Sequence, residues 1–248
     1  MNSPESIYDS VVEQLNGLGL RRMAIKLDEL YSSSDFLCLD RLTMLSQIVS
    51  SEYEAKASKA LEGRLKKCHL WGSPESIESC RDSCERSYAP KGIAEQLSSL
   101  SFIKRGYNAL ILGASDSGKS YFAKAMAIQA CASYRGEYHH SVPLIESLAE
   151  LRRNDYEQYE KRMKRLSKLD FLVLDDFLIS PVGCDAEAHI LYAVLESRCE
   201  NMKSTIICSQ RDPKCWPDML MNDKVTSDAI VKRASRNYTV LITKHAVN

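Results

Sequence analysis

The chain has 248 residues, which is enough for one large domain or for a core with a small appendage. Hydrophobic residues make up 44% of the sequence and support a packed core, while 33 basic and 33 acidic residues leave no net charge. This balance excludes an overall field that attracts nucleic acid, so any such contact needs locally clustered lysines and arginines.

No apolar run approaches the roughly 18 residues of a membrane span, and the N-terminus lacks the regions of a secretory signal. The nine cysteines are an odd number without the spacing of a disulfide framework, so we expect reduced thiols in a cytoplasmic protein with no membrane contact. Cys80 and Cys84 have helical i, i+4 spacing downstream of Cys68 and His69. Structural zinc sites show tighter pairs on both sides, so free thiols are the preferred interpretation.

Apolar residues at helical spacing predict three helices in residues 1–67. The first helix follows the spacing of Ile7, Val11 and Leu15, and the third covers residues 39–67. We assign this segment to an N-terminal helical domain. The third helix becomes basic toward its end, which indicates either a solvated helix face or a contact with nucleic acid.

Residues 68–92 contain few long apolar stretches and are predicted to be a connector. Strand and helix candidates alternate in residues 93–248, including one long charged helix over residues 144–168. The predicted strands are 108–112, 140–144, 171–175, 204–208 and 238–243. This alternation predicts an α/β fold with a parallel sheet, helices on both faces, and a ligand at the carboxyl ends of the strands.

The strongest motif is the run Gly-Ala-Ser-Asp-Ser-Gly-Lys-Ser at residues 113–120, between a strand candidate and a helix candidate. A strand, a glycine-bounded loop and a helix N-terminus present backbone N–H groups to a phosphate chain, as in P-loop proteins. Lys119 is a point charge for the β- and γ-phosphates, and the Ser120 hydroxyl can ligate Mg²⁺. The sequence therefore predicts binding of a nucleoside triphosphate. The predicted nucleotide-binding residues are Gly113, Ala114, Ser115, Asp116, Ser117, Gly118, Lys119, Ser120 and Tyr121.

Two acidic residues, Asp175 and Asp176, follow the apolar residues 171–174. This pattern predicts a buried strand that delivers carboxylates to the edge of the sheet where the P-loop lies. We predict that Asp175 holds Mg²⁺ and that Asp176 polarises the attacking water as general base. Because aspartate reaches one methylene less far than glutamate, we expect slow or assisted hydrolysis.

Further candidate catalytic residues follow later strands. Ser209 and Gln210 end the strand at 204–208, where polar groups can bind the γ-phosphate or its water, although a surface turn is the alternative. Arg233 and Arg236 precede the last strand, and a guanidinium offered across a subunit interface stabilises the charge of the transition state. Arg233 is the first choice and Arg236 the second, while pairing with a local acid is the alternative for either.

Together these residues resemble the IstB-like branch of AAA+ ATPases, the helpers of insertion-sequence transposition, which are related to helicase loaders of the DnaC type. The P-loop is shared by very many families, whereas the combination is more specific and covers nearly the whole chain. The resemblance implies an AAA+ fold and ATP as the nucleotide. The segments that carry it are Gln14–Ala24, Leu42–Leu65, Lys91–Ile93, Phe102–Gly113, Leu172–Phe177, Thr205–Gln210 with Trp216, and Asp228–Ile230 before Arg233.

Three features depart from the pattern of that family. Asp116 stands where the family prefers a small or neutral residue, and its carboxylate repels a triphosphate unless it points outward. Lys232 replaces the acid that usually precedes the family's arginine, which weakens the transfer of its role to Arg233. The sequence ends soon after the last predicted strand, so we expect no C-terminal helical lid.

The resemblance implies a DNA-binding ATPase that assembles with copies of itself on duplex DNA, with weak sequence preference, and assists a transposase in target selection or strand transfer. Two alternatives stay open. The first is a loader that retains a replicative helicase, and the second is an ATP-binding adaptor or switch that does not hydrolyse ATP. The candidate contacts to DNA phosphates are Lys66, Lys67, Arg152, Arg153 and Lys161.

Overall fold

A computed structural model describes residues 4–34, 36, 38–220 and 224–245. The chain divides into two compact units, Met1–Gly63 and Arg64–Asn248, and the division falls inside a long helix. No helix in the described ranges is long and apolar enough to cross a membrane.

The first unit contains the helices α1 (Pro4–Gly17) and α2 (Arg21–Tyr31) and the first part of α3 (Arg41–Lys67). The three predicted helices therefore form, with the third beginning at Arg41. The buried carboxylate of Glu52 on α3 accepts the backbone N–H of Arg22 at 2.9 Å. This bond satisfies a free N–H group at the positive end of α2 and fixes α2 against α3.

The second unit is built on a six-stranded sheet in the order β1-β6-β2-β5-β4-β3. Neighbouring strands are parallel except for the β1–β6 pair, which is antiparallel, so the predicted parallel sheet is confirmed. The first strand lies within the stretch that the sequence predicts to be a connector. The strands are β1 (Arg86–Ala89), β2 (Ala109–Leu112), β3 (Gly136–His140), β4 (Phe171–Asp175), β5 (Ser204–Ser209) and β6 (Tyr238–Lys244).

The prediction of a strand at residues 140–144 is wrong. The strand is Gly136–His140, and the residues after it begin a helix. The prediction is drawn to this position by three consecutive apolar residues, Val142, Pro143 and Leu144. Pro143 lies in the first turn of the helix, where its missing N–H group costs no hydrogen bond.

Helices flank the sheet. The charged helix predicted at residues 144–168 is two helices, separated at Asp155, whose carboxylate accepts the N–H of Gln158 at 3.0 Å and caps the second. The helices of this unit are α4 (Ile93–Ser98), α5 (Ser101–Lys104), α6 (Lys119–Ala130), α7 (Ser141–Asn154), α8 (Tyr156–Lys168), α9 (Asp185–Glu200) and α10 (Lys224–Ala234).

Both faces of the sheet are covered because successive strand residues point to opposite sides. Leu172 and Leu174 of β4 join a buried cluster with side chains of α7 to α10, such as Leu148 and Ile190. Helix α6 packs along strands β2 to β5, and its Phe122 is completely buried. This arrangement brings the N-terminus of α6 to the carboxyl ends of the parallel strands.

An ionic network around the buried Glu137 carboxylate joins β3 to α8. The Glu137 carboxylate lies 2.9 Å from Arg162 Nη2, 2.5 Å from Arg165 Nη2 and 2.8 Å from His139 Nε2. Burial acts to raise the pKa of Glu137, but the hydrogen bond with His139 and the charges of the arginines outweigh it and lower this pKa to about 2. The charged form of Glu137 therefore stabilises the folded unit.

We predict that the Glu137 carboxylate makes stability depend on pH in the acid range. Its folded pKa of about 2 lies below the ordinary 4.5, so its contribution is complete above pH 4.5 and is lost as the pH falls toward about 2. Glu137→Gln should lower the free energy of unfolding at neutral pH by about 3 kcal/mol and flatten its dependence on pH in this window. Urea titrations at several pH values measure both effects.

The matched control is Glu157→Gln, since Glu157 pairs with Lys161 on the surface of α8 and its side chain is 78% exposed. This variant should remain close to the parent in stability. A Glu137→Gln protein with the parent's stability and the parent's acid dependence would contradict the prediction.

Candidate nucleotide-binding site

The P-loop turns tightly between β2 and α6 at two glycines. Gly118 has φ +101°, a left-handed conformation that favours glycine. A Cβ on Gly113 would lie 2.5 Å from the Ile242 carbonyl oxygen and 2.5 Å from Ser117 Oγ, so no larger residue fits. Gly118 is the N-cap of α6, and no described side chain caps this end. The N–H groups of the first turn are therefore available to an anion.

Lys119 is held inside this loop. Its side chain is almost fully buried, and its Nζ donates a hydrogen bond to the Ala114 carbonyl oxygen at 2.6 Å. Burial lowers the pKa of Lys119, while neighbouring negative groups, among them Asp175, oppose the shift. An ammonium group has three donors, so two remain for phosphate oxygens.

Asp175 ends β4 and is completely buried. Its Oδ2 accepts a hydrogen bond from the Tyr138 hydroxyl, and its Oδ1 accepts the N–H of Asp176 at 2.9 Å. Each carboxylate oxygen keeps a further lone pair. Ser120 stands half-buried in the first turn of α6. Carboxylate and hydroxyl oxygens are ligands that Mg²⁺ prefers, so the donor chemistry of Asp175 and Ser120 fits this ion.

Asp176 has a different environment from its neighbour. Its backbone is left-handed, with φ +53°, which is uncommon for a residue other than glycine. Its Oδ2 lies 2.9 Å from His140 Nδ1, and its carbonyl oxygen accepts a hydrogen bond from Ser141 Oγ at 3.0 Å. The side chain is 34% exposed, so its carboxylate reaches water. The sequence does not predict His140 as a site residue, because the strand predicted at residues 140–144 begins with this histidine, whereas β3 ends with it.

Ser209 lies at the same edge of the sheet, at the end of β5, but it is fully buried. Its Oγ donates a hydrogen bond to the Phe177 carbonyl oxygen at 2.9 Å and accepts the N–H of Arg211 at 3.2 Å. The hydroxyl thus fixes the loop after β4, and its contact with the γ-phosphate stays a prediction. Gln210, next along the chain, is exposed.

Arg233 on α10 is engaged within its own chain. Its Nε pairs with the Glu196 carboxylate of α9, and its guanidinium carbon lies 4.9 Å from the centre of the Tyr192 ring. The hydrogen bond with Glu196 raises the pKa of Arg233. The structure therefore has the local pairing that the sequence analysis kept as an alternative. Arg236, beyond the end of α10, is exposed.

Asp116 at the tip of the P-loop points outward, with its side chain 81% exposed. Its Oδ2 lies 2.5 Å from Nζ of Lys244 on β6, and this bond lowers the pKa of Asp116. Lys244 therefore offsets the repulsion expected between Asp116 and a triphosphate. The two residues are 128 positions apart, so no local pattern in the sequence could reveal the pair.

All nine cysteines are free thiols in the structure. Cys80 is buried and Cys84 is exposed. Within the described ranges, the one group of three side chains that could hold a metal ion is His69, Glu137 and His139, and it contains no cysteine. Since two arginines already neutralise Glu137, a further cation is disfavoured there.

The sequence of this chain is similar to proteins of insertion sequences. The model of the family described as IstB-like ATP binding protein matches residues 13–246. A relative from Sinorhizobium fredii, named as an insertion sequence ATP-binding protein, is 28% identical over 228 residues, which cover 91% of this chain and 90% of the relative. The IS21 ATP-binding protein of Pseudomonas aeruginosa is 25% identical, with 92% of this chain and 83% of the relative covered.

The fold is similar to that of AAA+ proteins of replication. A DnaC helicase loader aligns with a TM-score of 0.54 and 18% identity, over 69% of this chain and 98% of the loader. DnaA from Aquifex aeolicus, bound to AMPPCP, aligns with a TM-score of 0.55 and 18% identity, over 69% of this chain and 50% of DnaA. At such identity the likeness shows the fold alone, and it confirms the predicted P-loop architecture.

We predict that the Asp116–Lys244 pair tunes affinity for the triphosphate in opposite directions. Lys244→Gln leaves the charge of Asp116 unbalanced beside the phosphate site, so ATP should bind more weakly. Asp116→Asn frees Lys244 to attract phosphate, so ATP should bind more tightly. Because the pair is exposed, each change should be up to about fivefold. Titration of a fluorescent ATP analogue measures it.

Lys164→Gln, at an exposed position of α8, controls for the loss of one positive charge anywhere on the surface. This control and the double variant Asp116→Asn with Lys244→Gln should bind like the parent. Affinity changes of the same sign in both single variants would show that the pair does not act through its charges.

Proposed function

This chain belongs to the IstB-like ATP-binding protein family, and we propose that it hydrolyses ATP to control its own assembly on DNA in support of a transposase. One observation carries the proposal. The loop that holds Lys119 and the end of β4, where Asp175 is followed by Asp176, lie at the same edge of the sheet, with one carboxylate buried and the other open to water. Such a pair divides metal binding from proton transfer.

In the proposed reaction, Lys119 and the N–H groups at the start of α6 bind the phosphates. Ser120 and Asp175 would hold Mg²⁺, which would supply positive charge next to the phosphate oxygens. Asp176 accepts a proton from water as the water oxygen bonds to the γ-phosphorus. The bond from that phosphorus to the bridging oxygen breaks, and its electron pair leaves with ADP. The hydrogen bond to His140 orients the Asp176 carboxylate.

Assembly requires a group that senses the nucleotide of the neighbouring copy. Arg233 is committed to Glu196 in its own chain, so its release would break an ion pair and the stacking on Tyr192. Arg236 is exposed and close in sequence. We therefore assign the contact across the interface to Arg236, ahead of the first-choice Arg233 of the sequence analysis.

Contacts to DNA are assigned to exposed basic residues of the second unit. Arg152 and Arg153 are exposed in the last turn of α7, whereas Lys161 is paired with Glu157 at 2.6 Å. Lys66 lies over the Trp71 ring at 5.2 Å. Phosphate contacts from such residues are independent of sequence and weaken with salt. The names of the relatives in insertion sequences support a transposase as the partner.

A second candidate function is an ATP-binding switch that does not hydrolyse ATP. The bond between His140 and Asp176 favours it, because this bond occupies one oxygen of the carboxylate that hydrolysis would need as a base. In that case bound ATP only orders a surface for a partner. His140→Ala should then create turnover where the parent has none.

Steady-state ATP hydrolysis with and without duplex DNA tests the proposed function. We expect turnover to rise with DNA, the stimulation to weaken as salt is raised, and both to vanish in Lys119→Ala. Lys164→Ala serves as the charge control. Tight ATP binding without turnover in either condition would favour the switch, and turnover indifferent to DNA would contradict the DNA part of the proposal.

Mixing two inactive variants tests the contact between copies. Lys119→Ala lacks the phosphate ligand but keeps Arg236, while Arg236→Ala keeps an intact P-loop, so a mixed assembly contains complete sites. We expect each variant to be inactive alone and the mixture to recover part of the DNA-stimulated turnover. Arg233→Ala should instead lower the melting temperature, because Glu196 loses its partner. A mixture as inactive as its components would contradict the assignment.

A further inference from the structure

We propose that Arg86 on the edge strand β1 binds the phosphate chain of the nucleotide, as a second cation beside Lys119. The inference rests on the nucleotide binding proposed above and adds a ligand from outside the P-loop motif. Arg86 lies in the stretch that the sequence predicts to be a connector, 32 positions before Gly118 and 33 positions before Lys119.

Strand β1 places Arg86 on the side of the sheet that faces α6. Two residues further on, Tyr88 is buried and its ring packs edge-on against Phe122 of α6, with ring centres 5.3 Å apart. Residues two apart in a strand share a face, so Arg86 also points toward this helix. The aromatic contact holds β1 against the first turns of α6 and so fixes the position of the Arg86 side chain.

The guanidinium of Arg86 lies against the N-cap of α6. A Cβ on Gly118 would be 3.1 Å from Arg86 Nε and 3.4 Å from its Cζ. The Nε is buried and has no hydrogen-bond partner among the described residues, and the same is true of Ser117 Oγ in the adjoining loop. A buried donor without a partner is unfavourable, and so it is typical of a position where a ligand supplies the acceptor.

Positive charge also accumulates around Arg86. In the β1–β6 register Arg86 stands directly opposite Lys244, and like charges at such positions repel. The N-terminus of α6 adds the positive end of the helix dipole. The negative charge of Asp116 also reaches Arg86, but its Oδ2 is bonded to Lys244. An anion bound between the strand and the helix would relieve this repulsion.

The chemistry of the side chain selects the ligand. A guanidinium presents planar paired donors that match the oxygens of a phosphate, and it keeps its charge at any physiological pH. Lys119 supplies a point charge from inside the loop, whereas Arg86 approaches from the edge of the sheet. The two cations would therefore hold the phosphate chain from different sides.

If Arg86 served only to pack β1 against α6, its removal would weaken the protein without nucleotide. A phosphate ligand behaves in the opposite way. Arg86→Gln removes a buried unpaired donor and a repulsive neighbour of Lys244, so the unliganded protein should melt at the same or a higher temperature. The same variant should lose much of the rise in melting temperature that ATP gives the parent.

The experiment measures the dissociation constant of a fluorescent ATP analogue, its displacement by inorganic tripolyphosphate, and the melting temperature with and without ATP. The proteins are the parent, Arg86→Gln, Arg86→Lys, Lys119→Ala and the control Arg81→Gln, an exposed arginine of the same segment. We expect Arg86→Gln to bind ATP and tripolyphosphate about 10- to 100-fold more weakly. Arg86→Lys should recover part of the loss, and Arg81→Gln should match the parent.

Arg86→Gln with the parent's affinity, alongside a Lys119→Ala protein that has lost binding, would overturn this inference and leave the proposed function intact. An unliganded Arg86→Gln protein that melts well below the parent, with a normal response to ATP, would also overturn it. If the parent itself bound no ATP, the proposed function would fail and this inference with it.

Discussion

The left-handed turn at Gly118 determines where the whole site is built. It reverses the chain between β2 and α6 within a few residues, so that the free N–H groups of the helix face the carboxyl ends of the parallel strands. Gly113 permits the same turn by leaving room for the Ile242 carbonyl oxygen and Ser117. With the loop fixed in this way, the Lys119 side chain lies inside it, and Asp175 lies at the same edge of the sheet, at the end of β4.

The charged side chains around this turn differ in how far they are exposed to water. Asp175 is buried and bonded to Tyr138, whereas Asp176 is bonded to His140 at the border with water. At the outer side of the loop, Lys244 neutralises Asp116, and Arg86 stands beside it without a partner for its Nε. In the proposed function, a triphosphate would therefore enter a site whose inner face carries two carboxylates in different environments and whose outer face still carries unbalanced positive charge.

The parts of the site that the sequence predicts are those with a local signature. The apolar runs before Gly113 and Asp175 identify β2 and β4, and the glycine spacing identifies the loop. The missing parts depend on pairing between distant segments. β1 has four residues and is defined by its partner β6, and Lys244 reaches Asp116 only through that pairing. Likewise, Arg233 meets Glu196 through the packing of α10 on α9. The prediction of a strand at residues 140–144 also hid His140, because it placed this histidine at the amino end of the strand instead of the carboxyl end, where the site lies.

Hydrogen–deuterium exchange of the full chain with and without Mg²⁺ and ATP tests most directly whether the nucleotide binds at this turn. Protection should be strongest in residues 113–121 and should extend to the end of β4 and to β1, because these segments surround the start of α6. Lys119→Ala should lose that protection at the same ATP concentration. Protection confined to other segments, or a P-loop that exchanges at the same rate with and without ATP, would contradict the proposed site.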